Sequence, residues 1–152
     1  MSRYKYYIGV DPGKSGSIAI LTDDDIHSVT KMPVDAFGYD IIFDSSFDDY
    51  NCIAVVEKVH AMPGQGVTSM FTFGYGVGRL HASLELYYVP YHLETPQTWM
   101  KWHKMKKIKD ESGTSYKNRL KSLAQRLFPH QKIYGWNADA LLIAYYCRER
   151  FR

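Results

Sequence analysis

Three acidic residues stand at positions where a carboxylate is hard to explain by solubility alone. Asp11 closes the apolar run Tyr7-Ile8-Gly9-Val10, Glu57 closes Ile53-Ala54-Val55-Val56, and Asp139 precedes Ala140-Leu141-Leu142-Ile143-Ala144. An ionised carboxylate is costly to bury without a partner, so acids at the ends of buried strands point to a shared cation. Hard divalent ions such as Mg²⁺ take oxygen ligands. Two of them roughly 3.5–4 Å apart can straddle a phosphodiester, one activating the attacking water and the other stabilising the leaving oxygen. The chemistry expected of Asp11, Glu57 and Asp139 is therefore phosphoryl transfer with two Mg²⁺ ions, for which Mn²⁺ can substitute. Without metal the three acids would repel one another and raise at least one pKa. Each also has a plainer reading: Asp11 before Pro12-Gly13 begins a turn, Glu57 pairs with a lysine, and Asp139 complements a helix dipole.

The elements that must position these acids follow from pattern. Residues 5–10, 17–21 and 26–31 read as strands, the first two joined by the Gly-rich turn 11–16 into a hairpin. Residues 52–59 form an unbroken apolar run, as in a strand covered on both faces. Residues 61–66 are a loop. From residue 68, Phe73, Val77, Leu80 and Leu84 recur at helical spacing to about residue 86. Gly74, Gly76 and Gly78 oppose that helix, since each costs roughly 1 kcal/mol relative to alanine. They imply a close approach by a neighbouring strand, a second subunit or a phosphate backbone. Arg79 occupies the place of the third glycine in a dinucleotide fingerprint, and no nucleotide cofactor is expected.

A fifth strand is expected over 87–92. Thr95 as N-cap and Pro96 at the first position then open a helix carrying Trp99 and Trp102. Residues 104–114 read as a mobile, charged loop. An amphipathic helix with Leu120, Leu123, Ala124 and Leu127 inward ends at Phe128-Pro129. The last helix starts at Asn137 as N-cap. Strands early and helices late predict an α/β domain: a mixed five-stranded sheet, opened by an antiparallel hairpin and flanked by helices.

The chain of 152 residues, 45% of them hydrophobic, suits one domain over 1–152. No apolar stretch reaches the roughly 20 residues of a membrane span, and the charged start carries no signal-peptide pattern. A cytoplasmic protein without membrane contact is expected. Cys52 and Cys147 fit no zinc or redox spacing and are expected as reduced core residues. Between Lys101 and Arg126, nine Lys or Arg face two acids, a net of +7 that leaves −4 for the rest of a chain whose total is +3. The acidic part includes Asp23-Asp24-Asp25 and the stretch with Asp40, Asp44 and Asp48. A basic run can be simply a solvated helix face. Beside an acid cluster of metal-binding type it points to nucleic acid, with Lys104, Lys106, Lys107, Lys109, Arg119 and Lys121 as phosphate contacts.

Taken in order, Ile8-Gly9-Val10-Asp11-Pro12-Gly13, Val55-Val56-Glu57-Lys58-Val59 and Ala138-Asp139-Ala140-Leu141-Leu142-Ile143-Ala144 resemble the RuvC family of Holliday-junction resolvases, within the ribonuclease H-like superfamily. The short phage-type members are the most similar. The loop and helix from Met62-Pro63-Gly64-Gln65-Gly66 to Phe73-Gly74, and the helix from Lys117 to Phe128-Pro129, extend the resemblance over nearly the whole chain. It implies a dimeric, Mg²⁺-dependent endonuclease that nicks four-way DNA junctions symmetrically. Asp11, Glu57 and Asp139 fall on the family's metal-binding acids, and Lys117 is placed to contact the scissile phosphate. Phe71 and Phe73 become candidates, with Tyr75, to stack on an opened base pair at the junction centre; otherwise they are core residues.

The resemblance fails at one point. The family usually offers an Asp or His one helical turn before the last acid, and here that residue is Trp136. Asn137 could supply an amide oxygen instead, a water could fill the gap, and His130 is more remote. Two competing readings remain. A non-catalytic module that binds branched DNA would explain Trp136. Asp11-Pro12-Gly13-Lys14-Ser15-Gly16-Ser17 also resembles the first phosphate loop of actin-type and sugar-kinase ATPases, whose two lobes a chain of this length does not supply.

Overall fold

The computed structural model describes residues 4–44 and 51–152; Asp48 and Met1-Ser2-Arg3 lie outside the described residues. The elements run β1 (Tyr6–Asp11), β2 (Ser17–Leu21), β3 (Ile26–Lys31), α1 (Ala36–Phe43), β4 (Cys52–Glu57), α2 (Val67–Leu86), β5 (Tyr91–Glu94), α3 (Pro96–Trp102), α4 (Gly113–Leu127) and α5 (Ala138–Phe151). The strands form a mixed sheet of order β3-β2-β1-β4-β5. β1 pairs antiparallel with β2, and β2 with β3, while β1–β4 and β4–β5 are parallel. The hairpin followed by crossover strands is the expected arrangement.

Strand parity decides which side chains meet. Tyr6, Ile8 and Val10 of β1 join Cys52, Ala54 and Val56 of β4 in a core with Tyr39, Ile42 and Phe43 of α1 and Leu80 and Leu84 of α2. Tyr7 of β1 and Ile53 and Val55 of β4 face the other way, into the core with α3, α4 and α5. Alternation therefore sends Asp11 and Glu57, the next residues of those rows, to the α5 side. The β1–β4 register, which pairs Val10 with Val56, makes them neighbours at the same sheet end.

Gly9 sets the depth of α5. A Cβ there would lie 2.1 Å from the backbone N of Ala144 and 2.3 Å from the carbonyl O of Ala140. The helix axis rests directly on β1 because no side chain separates them. That close seat holds the first turn of α5, with Asp139, at the end of the strand.

Four local expectations are corrected. The segment from Tyr87 to Pro90 is not strand but the turn that closes α2, and β5 runs over Tyr91–Glu94. Tyr88 N–H reaches Glu85 O, Val89 N–H reaches Leu84 O, and Tyr88 takes φ 53°. This is a Schellman closure with tyrosine in the left-handed position that glycine favours, stabilised by Val89 and Leu84 sharing one buried cluster. The apolar run beginning at 52 leaves the sheet at Glu57, not residue 59. Helix α1 lies where the sequence pattern predicts no element; Asp35 caps it by accepting from Gly38 N at 2.9 Å, and Tyr39, Ile42 and Phe43 form its buried stripe. Asn137 is not a side-chain cap of α5.

Cys52 and Cys147 are buried free thiols. Among the described residues no helix is long and apolar enough to cross a membrane.

Candidate active site

Asp139 is 7% exposed, and its Oδ2 accepts from Lys117 Nζ at 2.5 Å. The lysine reaches in from α4, its side chain 63% exposed. Asp11 and Glu57 are partly buried beside this pair. Burial, then the charges of Asp139 and Glu57, push Asp11 up to about 7, against the opposing pull of Lys117. Burial also raises Glu57; a hydrogen bond from Trp99 counters it, Asp139 adds to it and Lys117 opposes it. The three carboxylates thus share one field with one ammonium.

Trp99 is the residue that the sequence did not connect to the site. It is fully buried on α3, and its Nε1 donates to Glu57 Oε2 at 2.9 Å. A second carboxylate, Glu94, is paired with Glu57 in the β4–β5 register. It is held by Arg150 and Tyr146 from α5, so its charge is already balanced.

The donor chemistry suits a hard divalent cation: Asp11 and Glu57, each made harder to ionise by burial and by the neighbouring Asp139 charge, with Lys117 opposing. Among the described residues, no three His, Cys, Asp or Glu side chains stand as a ready cage for one ion. Lys117 engages Asp139 Oδ2 instead.

Asn137 does not offer the expected metal ligand. It is fully buried, its Oδ1 accepts from Tyr134 N at 2.7 Å, and its Nδ2 donates to Lys132 O at 3.1 Å. The amide is committed to closing the loop before α5. Trp136 is partly buried and gives its backbone carbonyl to Ser17 Oγ at 2.8 Å.

The basic segment also differs from its expected form. Lys104, Lys106, Lys107, Lys109 and Lys121 are exposed. Arg119, however, donates from Nε and Nη2 to both carboxylate oxygens of Glu111 and from Nη2 to Lys106 O. Those bonds, with Ile108 N donating to Glu111 Oε2, tie the segment expected as a mobile loop to α4. Arg119 is a clamp within the chain, not a free phosphate contact.

The aromatic candidates separate. Phe71 is 76% exposed, whereas Phe73 is partly buried against the turn after β1; a Cβ on Gly13, which has φ 116°, would lie 3.3 Å from its ring. A Cβ added at Gly74, Gly76 or Gly78 would meet nothing within 4 Å, so no neighbouring strand approaches them.

No family model matches the sequence, and no curated protein matches it. Solved structures do match. RuvC from T. thermophilus in complex with a Holliday junction substrate superposes with a TM-score of 0.64 at 12% identity, over 95% of this chain and 92% of that one. A second Thermus thermophilus RuvC structure gives 0.59 at 13%, over 95% and 96%. The mixed sheet and its helices have the fold of RuvC.

Proposed function

We propose that this chain is a divalent-metal-dependent, structure-selective endonuclease that nicks branched DNA, four-way junctions above all. The observation that carries the reading is the shared electrostatic field of Asp11, Glu57 and Asp139 at one end of the parallel β1–β4 pair. It is supported by a fold like that of a RuvC solved with Holliday junction DNA.

Asp11, Glu57 and Asp139 would hold the metal; a bound divalent ion supplies a more acidic attacking water and charge neutralisation at the phosphate. Lys117, on α4 beside Asp139, would bring its ammonium to the scissile phosphate. Trp99 orients Glu57 and favours its charged form against the burial that opposes it. Lys104, Lys106, Lys107, Lys109 and Lys121 contact phosphates along the arms, which positions DNA without reading sequence. Phe71 is free to stack at the junction centre. A second copy of the chain would pack on α2, where Val67 and Tyr75 are exposed beside the open glycines.

A second reading, a module that binds branched DNA without cutting it, is favoured by the commitment of Asn137 to its own loop and by Trp136 one turn before Asp139. Labelled four-way junction, fork, flap and linear duplex, incubated in Mg²⁺ with the wild type and with Asp11→Asn, separate the two. Nicking of the junction that vanishes in Asp11→Asn, Glu57→Gln and Asp139→Asn, with binding retained in Ca²⁺, supports the nuclease. Junction binding without nicks supports the module.

A further inference from the structure

Outside the acid cluster, one exposed surface combines rings and cations in a way that the core does not require. Tyr134 and Trp136 lie nearly parallel, 13° between planes and 6.1 Å between centroids. Lys132 Nζ sits 5.4 Å from the Tyr134 centroid, and Lys31 Nζ sits 5.5 Å from that of Trp136. Tyr134 is 40% exposed, and neither ring belongs to a buried cluster.

The loop does not need these rings to hold its shape. Ile133 is anchored in the core, and Asn137 bonds the backbone at Lys132 and Tyr134. On that fixed backbone the Tyr134 ring is exposed and Trp136 is half-buried.

The position follows from register. Asp11 pairs with Ser17, and Ser17 pairs with Lys31, so the three form one cross-strand row on the α5 side of the sheet. Ser17 Oγ holds the Trp136 carbonyl at 2.8 Å. With strands ~4.8 Å apart, Lys31 stands roughly 10 Å from Asp11 along that row. Two parallel rings with an ammonium at each suit a flat, electron-rich ligand joined to an anionic backbone. A nucleic-acid base and its phosphates meet that description.

We propose that Tyr134 and Trp136, flanked by Lys132 and Lys31, form a platform on which a base unpaired at the branch point stacks, next to the phosphate presented to the three acids. This rests on the nuclease reading and adds the way in which branched DNA is distinguished from duplex. A continuous duplex has no free base to offer, so the platform acts at branch points and not along duplex arms.

The test is a coupling experiment. Affinity for a four-way junction, and for the same junction with single abasic sites at the branch point, is measured in Ca²⁺ for wild type, Tyr134→Ala, Trp136→Ala and Trp136→Phe. Tyr134→Ala and Trp136→Ala are expected to lose about tenfold on the intact junction, little on linear duplex, and nothing further on the abasic junction that itself weakens the wild type. Trp136→Phe should restore most of the loss. Losses that are equal for duplex and junction, or that add fully to the abasic loss, overturn the platform while leaving the nuclease reading intact. A wild type that neither binds nor cuts the junction removes both. Melting of each variant identifies any loss due to misfolding, and Tyr134→Ala, at an exposed ring, keeps the test decisive if Trp136→Ala fails to fold.

Discussion

Trp99 Nε1 donates to Glu57 Oε2 at 2.9 Å from a fully buried indole. The bond favours the charged carboxylate against the burial that opposes it. A hydrogen bond to a charged group contributes about 1.5–3 kcal/mol, so Trp99→Phe should weaken Mg²⁺ binding about tenfold or more. The loss should be greater at lower pH, because Glu57 is then more often protonated. A melting-point loss with no change in the pH dependence of Mg²⁺ affinity would reduce Trp99 to packing.

Asp11 gives the metal-free protein an unusual pH dependence. Its folded pKa of about 7 lies above the ordinary value of 3.8. Below about pH 4 both folded and unfolded forms are protonated. Between there and about 7 the unfolded chain releases the proton first, so the folded state loses stability as pH rises, by at most about 1.4 kcal/mol per pH unit. Above about 7 the loss is complete. Urea unfolding in chelator should show the stability of Asp11→Asn relative to wild type rising between about pH 4 and about pH 7 and levelling off above; a constant difference would contradict the shared field.

Gly9→Ala places a methyl group against the backbone of α5, 2.1 Å from Ala144 N. Neither strand nor helix backbone can move aside cheaply in a close-packed core. The substitution should destabilise by about 3 kcal/mol or more and should abolish cutting by displacing Asp139. A stable, active Gly9→Ala protein would show that α5 does not seat directly on β1.

Lys106 and Lys107 are exposed on a segment fixed by Arg119 and Glu111. Charge reversal at both should weaken junction binding and reduce the slope of log affinity against log salt by about 2, nearly one per phosphate contact. An unchanged slope would move the DNA elsewhere on the surface.

That Asp11 and Glu57 close two strands and that Asp139 opens the last helix was legible because each borders an apolar run, whereas the face that Asp11 and Glu57 share emerges only from the β1–β4 register. Helix α1 was not: its stripe of Tyr39, Ile42 and Phe43 is short and sits among acids that drew the reading toward charge. A cap at Asp35 followed by that spacing was the available signal. The Tyr88 turn escaped because a non-glycine residue takes the left-handed position there, held by pairing of Val89 with Leu84 rather than by local preference. Asn137 has the right type for a cap or a ligand, and only its hydrogen bonds to Lys132 and Tyr134 reveal the loop it closes. Trp99 could be placed on its helix, but its meeting with Glu57 spans 42 positions and depends on how α3 crosses the sheet.

The proposed chemistry requires that three carboxylates, far apart in sequence, share divalent metal. Crystals soaked in Mn²⁺ and measured for anomalous scattering give the decisive test. Peaks are expected bounded by the side chains of Asp11, Glu57 and Asp139, with Lys117 turned away from Asp139, and those peaks should be lost in Asp11→Asn. Well-diffracting crystals at saturating Mn²⁺ with no peak between these residues, or with unchanged peaks in Asp11→Asn, would contradict a shared metal site.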